Sequence, residues 1–185
     1  MRIPPDLDEV VHGKRGMLRG IQVCVRAQCL VSAVSLVYST IDALAALTRP
    51  ACKKDTDRQT FIGWIEKYVL AKSELGFTAQ DAYAARCGVL HAYSHGSRMA
   101  RRGKARPLVY RWRKGPSADQ VAPLPAEAIE VAVEDLVSAL KEGIRLFLID
   151  VEMNPDLKKT VLSHLKEALC YRPWPPLKAH VAAAG

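Results

Sequence analysis

The 185-residue sequence has no Cys-x-x-Cys pair, no hydrophobic run long enough to cross a bilayer, and no acidic residue between Arg98 and Lys114. Each absence excludes something. Its five cysteines (Cys24, Cys29, Cys52, Cys87 and Cys170) are an odd number, without the close spacing of a zinc site or the even set of a disulfide framework. A reducing cytoplasm is therefore the expected compartment. The longest uncharged stretch, Ala27 to Ile41, is shorter than the roughly 20 residues a spanning helix needs. It also contains Gln28, Ser32, Ser35 and Ser39, so it reads as buried helix and no membrane partner is expected. Met1-Arg2-Ile3-Pro4-Pro5-Asp6 has no apolar centre to serve as a signal peptide.

The missing acids matter because of what stands in their place. The chain carries 27 Lys and Arg against 19 Asp and Glu, a net charge of +8. Eight of those bases lie in one stretch of 17 residues: Arg98, Arg101, Arg102, Lys104, Arg106, Arg111, Arg113 and Lys114. Outside it, bases and acids balance at 19 each. Charge so localised points to a local anionic partner, nucleic acid first and an anionic membrane surface second. Tyr110 and Trp112, interleaved with these bases, suit stacking on unpaired nucleobases. A competing account is internal: Glu127, Glu130, Glu134, Asp135, Glu142, Asp150 and Glu152 form an acidic surface on which the basic arm can dock, within the chain or across subunits.

Length and an apolar content of 49% fit one globular domain over residues 1–185. Residues 1–15 read as a flexible lead-in. Val23, Ala27, Leu30, Val34, Val37, Ile41 and Leu44 recur every three or four residues and predict one long helix from about Gly16 to Leu47, stopped at Arg49-Pro50. Thr56 or Asp57 caps a second helix, about 57–71, with Phe61, Trp64, Ile65 and Tyr68 on one face. Thr78 and Asp81 resemble a capping box opening a third helix that ends near Gly96. Leu108 to Trp112 reads as a short strand or hairpin arm, and 116–125 as a linker. Pro125 starts a fourth helix striped by Ile129, Val133, Leu136, Leu140, Ile144, Phe147 and Val151. Asn154-Pro155 starts a fifth, about 155–170, and residues 172–185 form a flexible tail. The expected class is all-α, a bundle of four or five helices.

One motif bears chemistry. The third helix carries Arg86 and His91 with four residues between them. This spacing resembles the signature of the HEPN superfamily, an Arg and a His late in a helical bundle. The resemblance extends to Tyr38-Ser-Thr-Ile41-Asp42-Ala-Leu44-Ala, Phe61-Ile-Gly-Trp64-Ile-Glu66-Lys67-Tyr68, Tyr83-Ala-Ala-Arg86-Cys87-Gly88-Val-Leu90-His91 and Gly103-Lys104-Ala105-Arg106. It covers roughly residues 30–115 and is to a group of uncharacterised bacterial HEPN-like proteins.

The resemblance implies a metal-independent ribonuclease, acting as a homodimer in which two such motifs face a shared cleft. His91 is then the general acid or base, and Arg86 holds the phosphate and stabilises its added charge. Asp42, mid-stripe on the first long helix, is the candidate acidic residue added from a second helix. RNA is the implied partner and no cofactor is needed. Active members commonly follow the Arg with a polar residue, often Asn, where this chain has Cys87. The alternative is therefore a non-catalytic HEPN-like interaction module, of a toxin–antitoxin or defence kind, with a protein partner or antitoxin and a structural Arg86–His91 pair. His91 and His95 lie four apart but have no third ligand in view, so no metal site is expected. On a straight helix Arg86 and His91 differ by roughly 140° in direction. The pair is thus expected to meet through a distortion at Gly88 or through a partner subunit.

Overall fold

The structure is a computed structural model that describes residues 4–50, 52–53, 55–92, 98–114 and 126–166. It is mostly helical, with one two-stranded sheet among the described residues. The N-terminal stretch departs from expectation. Pro5–His12 forms α1, with proline in its first turn, Asp6 and Asp8 at the positive end of the helix dipole, and Leu7 and Val11 fully buried one turn apart. Two apolar positions in eight residues are too few to display a period, but they suffice to dock a short helix.

The long first helix is two helices. Met17–Arg26 forms α2 and Leu30–Leu47 forms α3. Gln28 between them adopts a left-handed backbone with φ 53°. Neither glycine nor proline marks this break, and the apolar spacing runs through it unbroken. α3 is the helix on which the fold is assembled, touching α2, the strand Leu108–Arg111 and four of the helices that follow it in the chain. By length and composition α3 could cross a membrane, yet half of it is buried among these neighbours. Val34, Val37, Tyr38, Ile41, Leu44 and Ala45 line its core face.

Asp57 caps α4 (Arg58–Trp64), its Oδ1 accepting from the Thr60 N–H at 2.9 Å and the Thr60 hydroxyl at 2.8 Å. The helix then widens into a π turn, Ile65–Val69, and tightens into a 3₁₀ turn, Leu70–Lys72. Gly143 of the helix α7 (Val133–Met153) lies against this widened turn, where an added Cβ would come within 3.1 Å of the Tyr68 carbonyl oxygen and 3.0 Å of Val69 Cγ2. Tyr68, Trp64 and Phe147 pack their rings edge to face or tilted at 5.2–5.8 Å between centroids.

The capping box forms as expected. The Thr78 N–H donates to Asp81 Oδ2 at 3.0 Å, and the Asp81 N–H donates to Thr78 Oγ1 at 3.2 Å. It opens α5 (Ala79–Ala92); the expected end near Gly96 lies outside the described residues. A short α6 (Arg98–Arg101) follows.

Of the short strand or hairpin arm expected over Leu108 to Trp112, the strand forms, and its partner is parallel rather than the second arm of a hairpin. β1 (Leu108–Arg111) aligns with β2 (Ile129–Ala132), Tyr110 opposite Val131. Parallel strands cannot be joined by a tight turn, and 17 residues, 112–128, separate these two. β2 occupies positions read as the start of the fourth helix, so α7 begins at Val133 rather than Pro125. Asn154 caps α8 (Pro155–Leu165), its Oδ1 accepting from the Asp156 and Leu157 N–H groups at 3.1 Å. The linker over 116–125, the end of the fifth helix at 170 and the tail over 172–185 lie outside the described residues.

Candidate functional site

Asp42, Arg86 and His91 come together within one chain. α3 buries Ile41 on its core side and leaves Asp42 at the edge facing α5, with 23% of its side chain exposed. α5 packs Ala82, Ala85 and Val89 inward, which puts Arg86 at the same edge, also 23% exposed. Arg86 Nε donates to Asp42 Oδ2 at 2.7 Å. Its Nη1 lies 3.4 Å from His91 Nε2 and 3.9 Å from Cys87 Sγ. No distortion at Gly88 and no second subunit is required for the contact: α5 is helical through this stretch, and the long arginine side chain bridges the angular gap. The Nη1–Nε2 hydrogen bond requires an unprotonated Nε2, with the imidazole proton on Nδ1.

The local electrostatics follow from partial burial. Burial lifts the Asp42 carboxyl above its ordinary value, and hydrogen bonding and charge from Arg86 offset only part of that lift. Burial works against the Arg86 charge, but Asp42 and Cys87 outweigh it and the guanidinium is held more firmly protonated than usual. The second Arg86 amino group makes no hydrogen bond among the described residues, and His91 is exposed.

Asp42 and Arg86 border an open cleft of about 490 Å³, lined also by Ser39, Asp57, Arg58, Phe61 and Tyr83; His91 is not among its lining residues. Arg58 and Tyr83 complete a wall that motif spacing did not single out as a site. Arg58 lies over the Tyr83 ring at 5.4 Å and donates from Nη2 to Gln80 Oε1 at 2.7 Å. Gln80, Tyr83 and Arg86 are three residues apart in succession, one ridge of α5. That spacing was the available signal.

The basic segment divides. Arg106 turns inward: its backbone N–H and guanidinium both bind Asp81, at 2.7 Å and 2.8 Å, and Asp81 is 3% exposed. Arg111 pairs with Glu130 at 2.9 Å across the strand pair, and Arg113 with Asp135 at 2.5 Å at the start of α7. The internal docking account thus holds for these two arginines within the chain. Arg98, Arg101, Arg102, Lys104 and Lys114 are exposed. The aromatic residues of this segment belong to the core surface instead of a stacking platform. The Tyr110 hydroxyl is 2.5 Å from that of Tyr38 on α3, and Trp112 packs against the core. His95 lies outside the described residues, among which no group of three or more His, Cys, Asp or Glu is arranged to hold a metal.

No family model, curated protein or solved structure matches this chain.

Proposed function

We propose that this is a HEPN-like protein that binds RNA and cleaves it without a metal, using Arg86 and His91 with Asp42 as the residue that positions Arg86. The observation that supports this reading is the convergence of Asp42, Arg86 and His91 within one chain: Asp42 and Arg86 line the open cleft, and His91 Nε2 lies 3.4 Å from Arg86 Nη1. The reaction needs no protein nucleophile. When substrate phosphate draws Arg86 Nη1 off the imidazole, the freed His91 Nε2 takes the proton of a 2′-hydroxyl, whose oxygen attacks the adjacent phosphorus. The phosphorus–O5′ bond breaks, and O5′ takes a proton from an imidazolium. The products are a 2′,3′-cyclic phosphate and a 5′-hydroxyl. Arg86 faces the charge that develops on the phosphoryl oxygens, its fork already aimed by Asp42. As a homodimer, two such motifs at a common cleft divide the base and acid steps between them. The exposed bases Arg98, Arg102, Lys104 and Lys114 add phosphate contacts along the strand.

A second reading is favoured by the same Asp42–Arg86 bond, which ties α3 to α5: a non-catalytic HEPN-like interaction module, toxin–antitoxin or defence-related, whose pair is a brace. Labelled RNA incubated in EDTA separates the two. On the first reading the wild type cleaves, Arg86→Ala loses about 10²–10³-fold and His91→Ala about 10²–10⁴-fold, with both variants folded by circular dichroism. Equal cleavage by all three proteins, or none by any, leaves the module.

A further inference from the structure

Arg58 is the basic lining residue of this cleft that the proposed reaction does not use. It opens α4, which packs against both α3 and α5, and it is already held in place from two directions. Its guanidinium lies on the face of Tyr83, and Nη2 donates to Gln80 Oε1 at 2.7 Å. Gln80 is itself fixed, because its Nε2 donates at 2.7 Å to the backbone carbonyl of Lys104 in the basic segment. The amide is thereby oriented with its oxygen towards Arg58.

The pattern of charge pairing at the cleft singles Arg58 out. Asp42 is bound to Arg86. Asp57 is bound to Lys53 at 2.6 Å and to the start of α4, and those contacts hold its carboxyl well below the usual range. Arg58 has a neutral amide and an aromatic ring as its neighbours, and no carboxylate pairs with it among the described residues. Its Nε is buried without a hydrogen-bond partner. A pre-oriented guanidinium beside an open cleft, with no carboxylate paired to it among the described residues, is suited to an anion that the protein does not itself supply.

We propose that Arg58 is a second phosphate-binding residue of the cleft, taking the phosphate next to the one held at Arg86, so that the ligand is an oligonucleotide strand with at least two phosphates. This rests on the RNA reading for the identity of the ligand, although the pairing of Arg58 and Arg86 along one cleft does not depend on catalysis. Gln80 is a positioning residue for Arg58, and through Lys104 it connects the basic segment to the cleft.

The test uses uncleavable ligands. The Kd of the full chain is measured by NMR titration for a 2′-O-methyl dinucleotide with a single phosphodiester and for the same dinucleotide with an added terminal phosphate. Wild type should bind the second ligand about tenfold more tightly. Arg58→Gln should abolish that gain and Arg58→Lys should retain part of it, while Arg86→Gln should weaken both ligands. Thermal melting confirms that each variant is folded, and Gln80→Ala should reduce the gain without touching the single-phosphate Kd. Equal binding of the two ligands by wild type, binding of neither, or a gain that survives in Arg58→Gln overturns the proposal. An Arg58-dependent gain in a protein that cleaves no RNA overturns the ribonuclease reading and leaves this one standing.

Discussion

Asp42 lies one helical turn beyond Tyr38 on α3, and both residues tie that helix to later parts of the chain, Tyr38 to Tyr110 and Asp42 to Arg86. Replacing Asp42 with Asn keeps the shape but removes the charge that aims the guanidinium. The expected result is a fall in kcat with a smaller change in RNA affinity, and a stability loss of about 1–3 kcal/mol by denaturant unfolding. Asp81 gives a prediction in pH. Burial pushes its carboxyl up, but the N–H groups of Thr78 and Arg106 and the Arg106 guanidinium overcome this and hold it below its ordinary value. A carboxyl with a depressed folded pKa contributes stability that is complete above its unfolded value and is lost as pH falls through the folded one. Melting temperature should therefore drop below about pH 4, with a shallower slope in Asp81→Asn. An unchanged slope in that variant would remove Asp81 from the explanation. Arg86, His91 and Asp42 were legible in the sequence because a short motif and an apolar stripe mark them. Arg58 was not, because an arginine at the start of a helix reads as a solvated residue until the fold places Tyr83 and Gln80 beside it.

The helices show where periodicity informs and where it fails. α5, α7 and α8 carry the stripes or caps that the sequence displays, and Thr78 with Asp81 forms the expected box. The α2–α3 break was hidden because Gln28, exposed and neither Gly nor Pro, takes the left-handed conformation. Gln28→Gly should therefore raise stability by up to about 1 kcal/mol. β2 was hidden differently. Ile129 and Val131 alternate as a strand requires, but Ile129 and Val133 also fit a helical stripe, and the partner strand lies 17 residues upstream. The π turn adds a packing test. Gly143→Ala gains about 1 kcal/mol of helix propensity but forces a methyl group against the Tyr68 backbone, and overpacking of this kind costs about 1–3 kcal/mol. A net loss is expected. Gly63→Ala in α4, where the added methyl meets nothing within 4 Å, should instead stabilise. Equal melting shifts for the two would contradict the close packing of α7 on the π turn.

At the scale of the whole molecule, the charge of +8 resolves into two parts. Arg106, Arg111 and Arg113 hold the strand pair and its flanks to Asp81, Glu130 and Asp135. Arg98, Arg102, Lys104 and Lys114 are exposed, and under the proposed function they meet the phosphates of a strand. Neutralising Arg102 and Lys104 together should lower the salt dependence of RNA binding by a slope of about 1.4, or about 0.7 for each phosphate that no longer meets a base. Arg111→Gln should change that slope little. Composition identified the segment, but which bases are committed internally depends on long-range pairing that no local pattern encodes. The proposed activity comes down to one event: Arg86 and His91 drive a strand's own 2′-hydroxyl onto its phosphate. Single-turnover cleavage in EDTA is measured for an RNA strand and for the same strand with 2′-deoxy nucleotides throughout. Cyclic-phosphate products are expected from the RNA with the wild type, with cleavage at least about 10²-fold slower by His91→Ala, and no cleavage of the deoxy strand. Cleavage of the deoxy strand at the same rate, or no cleavage of RNA by the wild type, would contradict the proposed chemistry.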